Sequence, residues 1–254
     1  FYKLDKYLNF KKRTFIFSYP ILESCIVGAL IKRDTDKFIV DIRDLWPDVF
    51  KDRINIYFFR IINIFYKIFL KFIFKKLDLL VSTSKGYLEW SKRYGLVKNQ
   101  YFLPIGYHIS KYEDKINHDF KKKFEKYNNA KQFNILFIGT ITNKYFDFNE
   151  IFLVSKSLER NNINHKIFIA GFGEDYENIK LLSNNRVEML GQLNGNELEH
   201  LMSISSIGIA PYKRIPNFEN NIPNKIYEYA YGNLYILTSL KGEVKEFVED
   251  NKFG

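Results

Sequence analysis

A lysine, a glutamate and a proline share one short stretch of this chain, Asn220-Asn221-Ile222-Pro223-Asn224-Lys225-Ile226-Tyr227-Glu228-Tyr229-Ala230-Tyr231-Gly232. Pro223 suits the first turn of a helix, Asn221 its N-cap and Gly232 its C-terminal cap. Lys225 then falls in the first turn, where unpaired N–H groups and the helix dipole already favour an anion. Glu228 follows three residues later on nearly the same face. A cation at a helix amino end can hold a diphosphate that gains charge as it departs, and a carboxylate can accept two hydroxyls of a ribose. An ordinary surface ion pair has the same i, i+3 spacing and is the commoner use of it. Against that use, Glu228 is embedded in Ile-Tyr-Glu-Tyr-Ala-Tyr, an apolar setting that gives a carboxylate little structural purpose.

Other chemistries find less support. Asp34-Thr35-Asp36 has the spacing of a metal-binding pair, but it precedes a strand, the wrong end of a parallel sheet for a site, and reads as a polar turn. His108, His118, His165 and His200 are scattered without ligand spacing. Of these, His165 and His200 read as surface residues. Cys25 stands alone, which excludes an intramolecular disulfide and a cysteine-based zinc site. A reducing, cytoplasmic compartment fits it best.

The elements that must position these residues recur along the chain as short apolar runs ending in Gly, Ser or Pro. In the first half they are Thr14 to Ser18, Phe38 to Ile42, Leu79 to Ser82 and Tyr101 to Leu103. In the second half they are Phe133 to Ile138, Lys166 to Ala170, Val187 to Leu190, Ile207 to Ala210 and Leu234 to Thr238. Helical periodicity lies between them, as in Phe146 to Arg160 and Asn196 to Ser203. Strands alternating with helices predict an α/β chain of two Rossmann-like halves, with parallel sheets buried on both faces. The polar stretch from His108 to Lys131 marks the boundary. It predicts a first domain over 1–107, a linker over 108–132 and a second domain over 133–254, with a cleft between the sheets.

Charge and length set further bounds. The chain has 254 residues, 46% of them hydrophobic and 27% charged, as a globular protein does. Its formal charge of +10 fits nucleic acid, an anionic membrane or phosphorylated small molecules alike. Arg53 to Lys76 is intensely apolar, with Arg53, Arg60, Lys67, Lys71 and Lys75 on one narrow side of a helix. Two readings stay open for it: a basic amphipathic helix lying in a membrane interface, or a helix buried in the first domain with one solvated stripe. The opening Phe1-Tyr2-Lys3-Leu4-Asp5 lacks an initiator Met and a signal-peptide cleavage site, so a processed or incomplete chain is expected.

Pro223-x-Lys225-x-x-Glu228-Tyr229 with Gly232, followed by the strand Leu234 to Thr238, resembles the donor-site helix of glycosyltransferase family 4, the retaining GT-B enzymes. The resemblance extends back through Ile135-Leu136-Phe137-Ile138-Gly139, Ala170-Gly171-Phe172-Gly173, Leu190-Gly191-Gln192 and Ile207-Gly208-Ile209-Ala210-Pro211, and forward into Gly242-Glu243-Val244. Asp41-Ile42-Arg43-Asp44-Leu45-Trp46-Pro47-Asp48 is similar to members that build cell-surface polysaccharides such as lipopolysaccharide and capsule. The likeness implies a GT-B fold with an incomplete first domain and a truncated C-terminal end. It implies transfer of a hexosyl or N-acetylhexosaminyl group, with retention, from a UDP- or GDP-sugar to a glycan or polyprenyl-linked acceptor. It also implies no metal, no other cofactor, and a place at the inner face of the cytoplasmic membrane, with 53–76 as the contact to anionic lipid.

Carried onto this sequence, the likeness makes Glu228 the ribose ligand and Lys225 a phosphate ligand, with Lys144 as the second phosphate-binding lysine. Gly139, Gly171, Gly173, Gly191 and Gln192 fall in loops beside the nucleotide, where glycine lets the backbone approach. Arg43 and Asp44 correspond to the acceptor-side segment that faces the reaction centre. Two positions depart from the pattern. Asn220 stands where the family has a glutamate on the donor sugar, and Thr140 where an arginine is frequent. These departures keep a rival in view, a non-catalytic GT-B relative or fragment that only binds nucleotide sugar. On that basis the full-length product is expected to be active and this piece inactive. A nucleic-acid binder would need a basic stripe interleaved with aromatics or a known module, and neither is visible. A GT-B epimerase would need acids and bases that the histidine-poor first half offers sparingly.

Overall fold

The computed structural model describes residues 12–51, 54–106, 118–129 and 131–254. The chain forms two compact units. One comprises Phe1–Ile105 with Glu219–Asn221, the other Gly106–Phe218 with Ile222–Gly254.

The first unit alternates β1 (Thr14–Tyr19), α1 (Leu22–Ile31), β2 (Lys37–Ile42), α2 (Ile56–Lys76), β3 (Leu79–Ser82), α3 (Lys85–Ser91) and β4 (Gln100–Phe102). The four strands pair in parallel in the order β1-β2-β3-β4. Because the order is sequential, right-handed crossovers carry the helices to the same face. Phe38, Val40, Ile42 and Leu80 are buried with Leu70, Ile73, Phe74 and Trp90. Gly28 permits a close approach of α1, since a Cβ there would lie 2.4 Å from the Phe17 ring and 2.8 Å from that of Phe38. This sheet is not buried on both faces as expected: Ile16 is 68% exposed and Tyr101 59%.

The Asp34-Thr35-Asp36 turn is structural. Asp36 accepts hydrogen bonds from the Arg13 backbone N–H and guanidinium and from the Arg33 N–H. The Arg13 guanidinium, with the Arg33 N–H, holds its carboxyl far below the usual carboxylate range although burial pushes the other way.

Helix α2, the basic apolar segment, is buried along one face only. Asn55 caps it by accepting from the Tyr57 N–H at 2.9 Å, and its 21 residues bury Phe59, Leu70, Ile73 and Phe74. Many other apolar side chains face solvent. Among the described residues no helix is long and apolar enough to cross a membrane; Arg53 lies outside them.

The second unit comprises α4 (His118–Glu125), β5 (Phe133–Ile138), α5 (Phe148–Arg160), β6 (His165–Ala170), α6 (Tyr176–Lys180), β7 (Val187–Gly191), α7 (Gly195–Ser203), β8 (Ile207–Ala210), α8 (Pro216–Glu219), α9 (Asn224–Tyr231), β9 (Tyr235–Thr238) and α10 (Glu243–Asp250); of α8, Glu219 groups with the first unit. Its five strands are parallel, in the order β7-β6-β5-β8-β9. Leu136, Phe137, Ile167, Phe168 and Ile169 are fully buried, each contributing about 2 kcal/mol by leaving water.

Two expectations are corrected in this unit. The span 108–132 is not linker throughout. α4 packs Phe124 into the core with its ring 5.4 Å from that of Phe168, because Phe120 and Phe124 are one turn apart on an otherwise charged helix. Residues 107–117 and 130 of that span lie outside the described residues. His165 is a core residue with 1% exposure. Its Nδ1 donates to the Ile163 carbonyl at 2.9 Å and its Nε2 shares a hydrogen bond of 2.8 Å with the Ser155 hydroxyl. His200 is half-buried, its ring 6.4 Å from that of Phe120, and burial lowers its pKa.

Candidate functional site

From β5 the chain passes to β6 and β7 on one side, then returns at β8 on the other. The crossovers that follow β5 and β8 therefore leave on opposite faces. A crevice opens where they part, at the carboxyl ends of the strands, which is where open parallel sheets take ligands.

The glycines singled out in the sequence gather at this end. Gly139 follows β5, Gly171 follows β6 and Gly191 closes β7, all with positive φ, at 144°, 143° and 74°. Gly171 meets a further demand. A Cβ there would lie 1.8 Å from the Gly139 carbonyl oxygen, and one at Gly173 would lie 2.3 Å from that of Ile141. Backbone cannot swing aside, so only glycine fits. The three loops are laced together: Gly139 N–H donates to Ala170 O at 3.0 Å, Ile141 N–H to Phe172 O at 3.1 Å and Gly171 N–H to Gly191 O at 2.7 Å.

Lys225 reaches the same place from α9. Its side chain is buried at 5% residue exposure, and its ammonium lies so close to Gly139 that a Cβ there would come within 2.3 Å of Nζ. The ammonium rests 4.0 Å from the Phe137 ring centroid and 5.0 Å from that of Phe146, both favourable for a cation. Among the described residues no hydrogen bond or ion pair holds it. Burial pushes its pKa down to about 7, against the opposing pull of the Glu228 charge. A cation walled by two rings and unmatched by any anion is poised for an anionic ligand.

Glu228 lies one turn further along α9, half-buried, and no ion pair joins it to Lys225, so the surface-pair use of this spacing does not apply. The helix ends differ from expectation. α9 starts at Asn224, Pro223 occupies the N-cap with ψ 148°, and no side chain caps the first turn. Asn221 is not the cap; its Oδ1 is buried without a hydrogen-bond partner. Gly232 closes the helix with φ −70°, and the left-handed residue is Asn233 at φ 55°. Gly232 packs closely against Met202, since a Cβ would lie 2.9 Å from its Sδ.

Tyr229 escaped the sequence reading. Its hydroxyl donates to Ile209 O at 3.0 Å and accepts from the Ile138 N–H at 3.1 Å, tying α9 to β5 and β8 where they part. Burial raises its pKa well above the ordinary value. Gly208 makes room, as a Cβ there would come within 2.4 Å of the Tyr229 ring. A glycine inside a strand, in Ile207-Gly208-Ile209, was the available signal.

Lys144 is exposed, its Nζ 5.2 Å from the Tyr145 ring centroid. Its loop is pinned by Thr142 donating to Glu174 at 2.5 Å and by the Asn143 N–H donating to Asp175 at 2.6 Å. Gln192 is exposed just beyond β7. Asn220 groups with the first unit, as do Glu219 and Asn221. Arg43 and Asp44 follow β2 in that unit. The Arg43 guanidinium pairs with Asp41 at 2.6 Å, and Asp44 accepts from the Leu45 N–H at 2.8 Å. Among the described residues no group of His, Cys, Asp and Glu could hold a metal ion.

No protein-family model matches the chain, and no curated protein matches it. Solved structures do. The pneumococcal O-GlcNAc transferase GtfA, in complex with UDP and GlcNAc, superposes with a TM-score of 0.58 at 13% identity, over 96% of this chain and 46% of its own. An E. coli trehalose-6-phosphate structure bound with UDP-2-fluoro glucose gives 0.65 at 12% identity, over 97% and 63%. WaaG, a glycosyltransferase involved in lipopolysaccharide biosynthesis, gives 0.53 at 11% identity, over 94% and 84%. The chain thus spans about half the length of GtfA and under two thirds of the E. coli protein. At these identities the likeness speaks for the fold, and the fold is that of the GT-B glycosyltransferases: α/β, with two all-parallel sheets.

Proposed function

We propose that the second unit binds the nucleoside diphosphate of a nucleotide sugar, UDP- or GDP-linked, and that the chain belongs to a retaining glycosyltransferase of the family 4 kind. The observation that carries the reading is Lys225: buried, unmatched by any anion, and set against Gly139 at the point where the crossovers of β5 and β8 part. In this reading the Lys225 ammonium and the uncapped first turn of α9 hold the diphosphate. Glu228 accepts the ribose hydroxyls, and the backbone at Gly139, Gly171, Gly173 and Gly191 closes on the nucleotide. Lys144, Gln192 and Asn220 supply further donor contacts, and Arg43 and Asp44 serve the acceptor side.

The chemistry follows from these placements. The bond between the sugar C1 and the diphosphate oxygen breaks with its electrons leaving on the diphosphate, so negative charge grows where Lys225 stands. A cation fixed beforehand in a dry setting lowers that barrier without reorganising. No metal is needed for this role. A hexosyl or N-acetylhexosaminyl group then passes with retention to a glycan or polyprenyl-linked acceptor at the inner face of the cytoplasmic membrane, in synthesis of a surface polysaccharide such as lipopolysaccharide or capsule. Asn220 favours a second reading, a relative that binds nucleotide sugar without transferring it, because an amide there cannot replace the glutamate's charge.

Saturation-transfer NMR with UDP-, GDP- and ADP-sugars tests the first step. One of the first two should bind, and release of nucleotide on adding a lipid-linked glycan would separate transfer from binding alone. Failure of every nucleotide sugar to bind would remove both readings.

A further inference from the structure

β5 is the middle strand of the second unit, and its two ladders end at different heights. Against β6 it stays in register to Ile138, opposite Ala170. Against β8 the register covers Ile135 with Ile207 and Leu136 with Gly208, and stops there. β8 itself runs on beside β9 as far as Ala210, opposite Thr238. The sheet therefore splits between β5 and β8, at the end where parallel sheets take ligands.

The backbone groups at which it splits can be named. The N–H groups of Phe133 and Gly139 donate to the β6 side, to Asn164 O and Ala170 O, both at 3.0 Å. The even-numbered N–H groups of β5 therefore point at β8. With Leu136 opposite Gly208, one further step of the ladder would join the Ile138 N–H to the Ile209 carbonyl. Those two groups are the partners of the Tyr229 hydroxyl, which accepts from the first at 3.1 Å and donates to the second at 3.0 Å. A side chain from α9 is thus threaded into the backbone ladder, and two hydrogen bonds in series span the strands where one would have. Both backbone groups stay satisfied, so the gap leaves no orphan. Burial holds the phenol well above its ordinary pKa, and the hydroxyl keeps the proton it donates to Ile209. Gly208 admits the ring, since a Cβ there would meet three ring carbons at 2.4–2.7 Å.

Lys225 stands one helical turn before Tyr229 on the same face of α9. Its ammonium lies against Gly139, the residue that follows Ile138. We propose that Tyr229 is a positioning residue for the nucleotide: its hydroxyl holds β5 and β8 apart at Ile138 and Ile209, and so places the Lys225 ammonium for a diphosphate. A tyrosine serving packing alone would gain as much from one carbonyl acceptor anywhere along β8. Bonding to both strands, at the step where their ladder breaks off, is what a spacer does. The ligand in this proposal rests on the nucleotide-sugar reading. The spacing of the strands and the setting of Lys225 do not.

Tyr229→Phe tests it by keeping the ring and removing the hydroxyl. Ile138 and Ile209 can then close to a direct bond, which draws in the strands beneath Lys225. In the free protein the Lys225 side chain, followed by NMR, titrates at about 7 in the native chain. In the variant it should move up toward the ordinary lysine range, as the closing strands push the ammonium out to water. Affinity for the UDP- or GDP-sugar that the native chain binds should fall by roughly tenfold. Gly208→Ala displaces the ring and keeps the hydroxyl; it should give the same two changes, and it decides the matter if Tyr229→Phe does not fold. A Lys225 titration that stays where the native chain has it overturns the proposal even where melting temperature falls, since the hydroxyl would then be a structural tie alone. A moved titration with unchanged affinity also overturns it, because the ammonium would not be placed for the ligand. In the native chain the Tyr229 hydroxyl proton should be seen beside the Ile138 amide, and its absence from there removes the insertion without any variant. If no nucleotide sugar binds the native chain, the site reading falls, and the Lys225 titration still decides whether Tyr229 sets the ammonium.

Discussion

Asp36 and Lys225 are both buried charges at the ends of parallel strands, and their surroundings are opposite. Asp36 stands at the amino end of β2, where Arg13 and the Arg33 N–H meet its oxygens. Lys225 stands at the carboxyl end of β5, where two aromatic rings and a glycine meet its ammonium and no carboxylate does. The pKa directions restate the contrast. Asp36 is lowered chiefly by its Arg13 partner, which favours its charge, whereas Lys225 is lowered by burial, which opposes its charge. A buried charge that folding has already satisfied belongs to the structure. One left unsatisfied at the ligand-binding end of a sheet is held for something that arrives later.

The contrast can be broken or sharpened experimentally. The largest effect should come from Arg13→Leu, which leaves the buried Asp36 carboxylate with Arg33 alone; urea unfolding should show a loss of about 3–5 kcal/mol, with nucleotide affinity of the folded protein unchanged. The pH profile carries the same sign. Because the Asp36 pKa is depressed on folding, its contribution is full above the carboxylate range and is lost as pH falls through it. An acid unfolding limb that moves to higher pH in the variant would confirm that assignment. Gly171→Ala comes next, at about 2–4 kcal/mol in the same measurement, since the new Cβ meets the Gly139 carbonyl oxygen and φ is 143°. Unlike the arginine change it should also abolish nucleotide-sugar binding.

Smaller effects are expected from the α9 pair. Glu228→Ala should weaken nucleotide-sugar binding by roughly 1–3 kcal/mol, the scale of a charged hydrogen bond, with the fold intact by circular dichroism. The most telling is a slope. With a folded-state pKa near 7 and an ordinary value of 10.5, Lys225 sheds its proton in the free protein before the unfolded chain does. Stability should rise with pH across that window while affinity for a nucleotide sugar falls, because the bound diphosphate requires the proton back. Calorimetry in buffers of different ionisation enthalpy should register proton uptake on binding above neutral pH.

The sequence made the framework legible. Each of the nine apolar runs is a strand, because a buried parallel strand reads as a continuous β-branched and aromatic stretch that Gly, Ser or Pro ends. Gly139, Gly171 and Gly173 were singled out through the family resemblance, and the structure shows close backbone approach or positive φ at each. Solvation was harder to read. His165 passed for a surface residue because one position says nothing of the Ser155 hydroxyl ten residues earlier. Asp36 gave no sign of Arg13, twenty-three residues away. On α2 the apolar residues could be counted but not divided between core and solvent, since a helix apolar on two faces has no single period. The phenylalanines beneath Lys225 were lost in a chain with 25 of them. Lys144, singled out through the resemblance, follows the Gly139 strand with its side chain exposed.

The central claim, that Lys225 is kept unsatisfied for an anionic ligand, is tested most directly by Lys225→Met with stability and binding measured on the same sample. Removing an uncompensated buried charge for an apolar side chain of similar length should leave urea stability equal or higher at pH 6, while affinity for the nucleotide sugar drops by roughly 1–3 kcal/mol and its pH slope disappears. A variant that is less stable yet binds the nucleotide sugar as before would show that the lysine serves the fold, and would contradict the account.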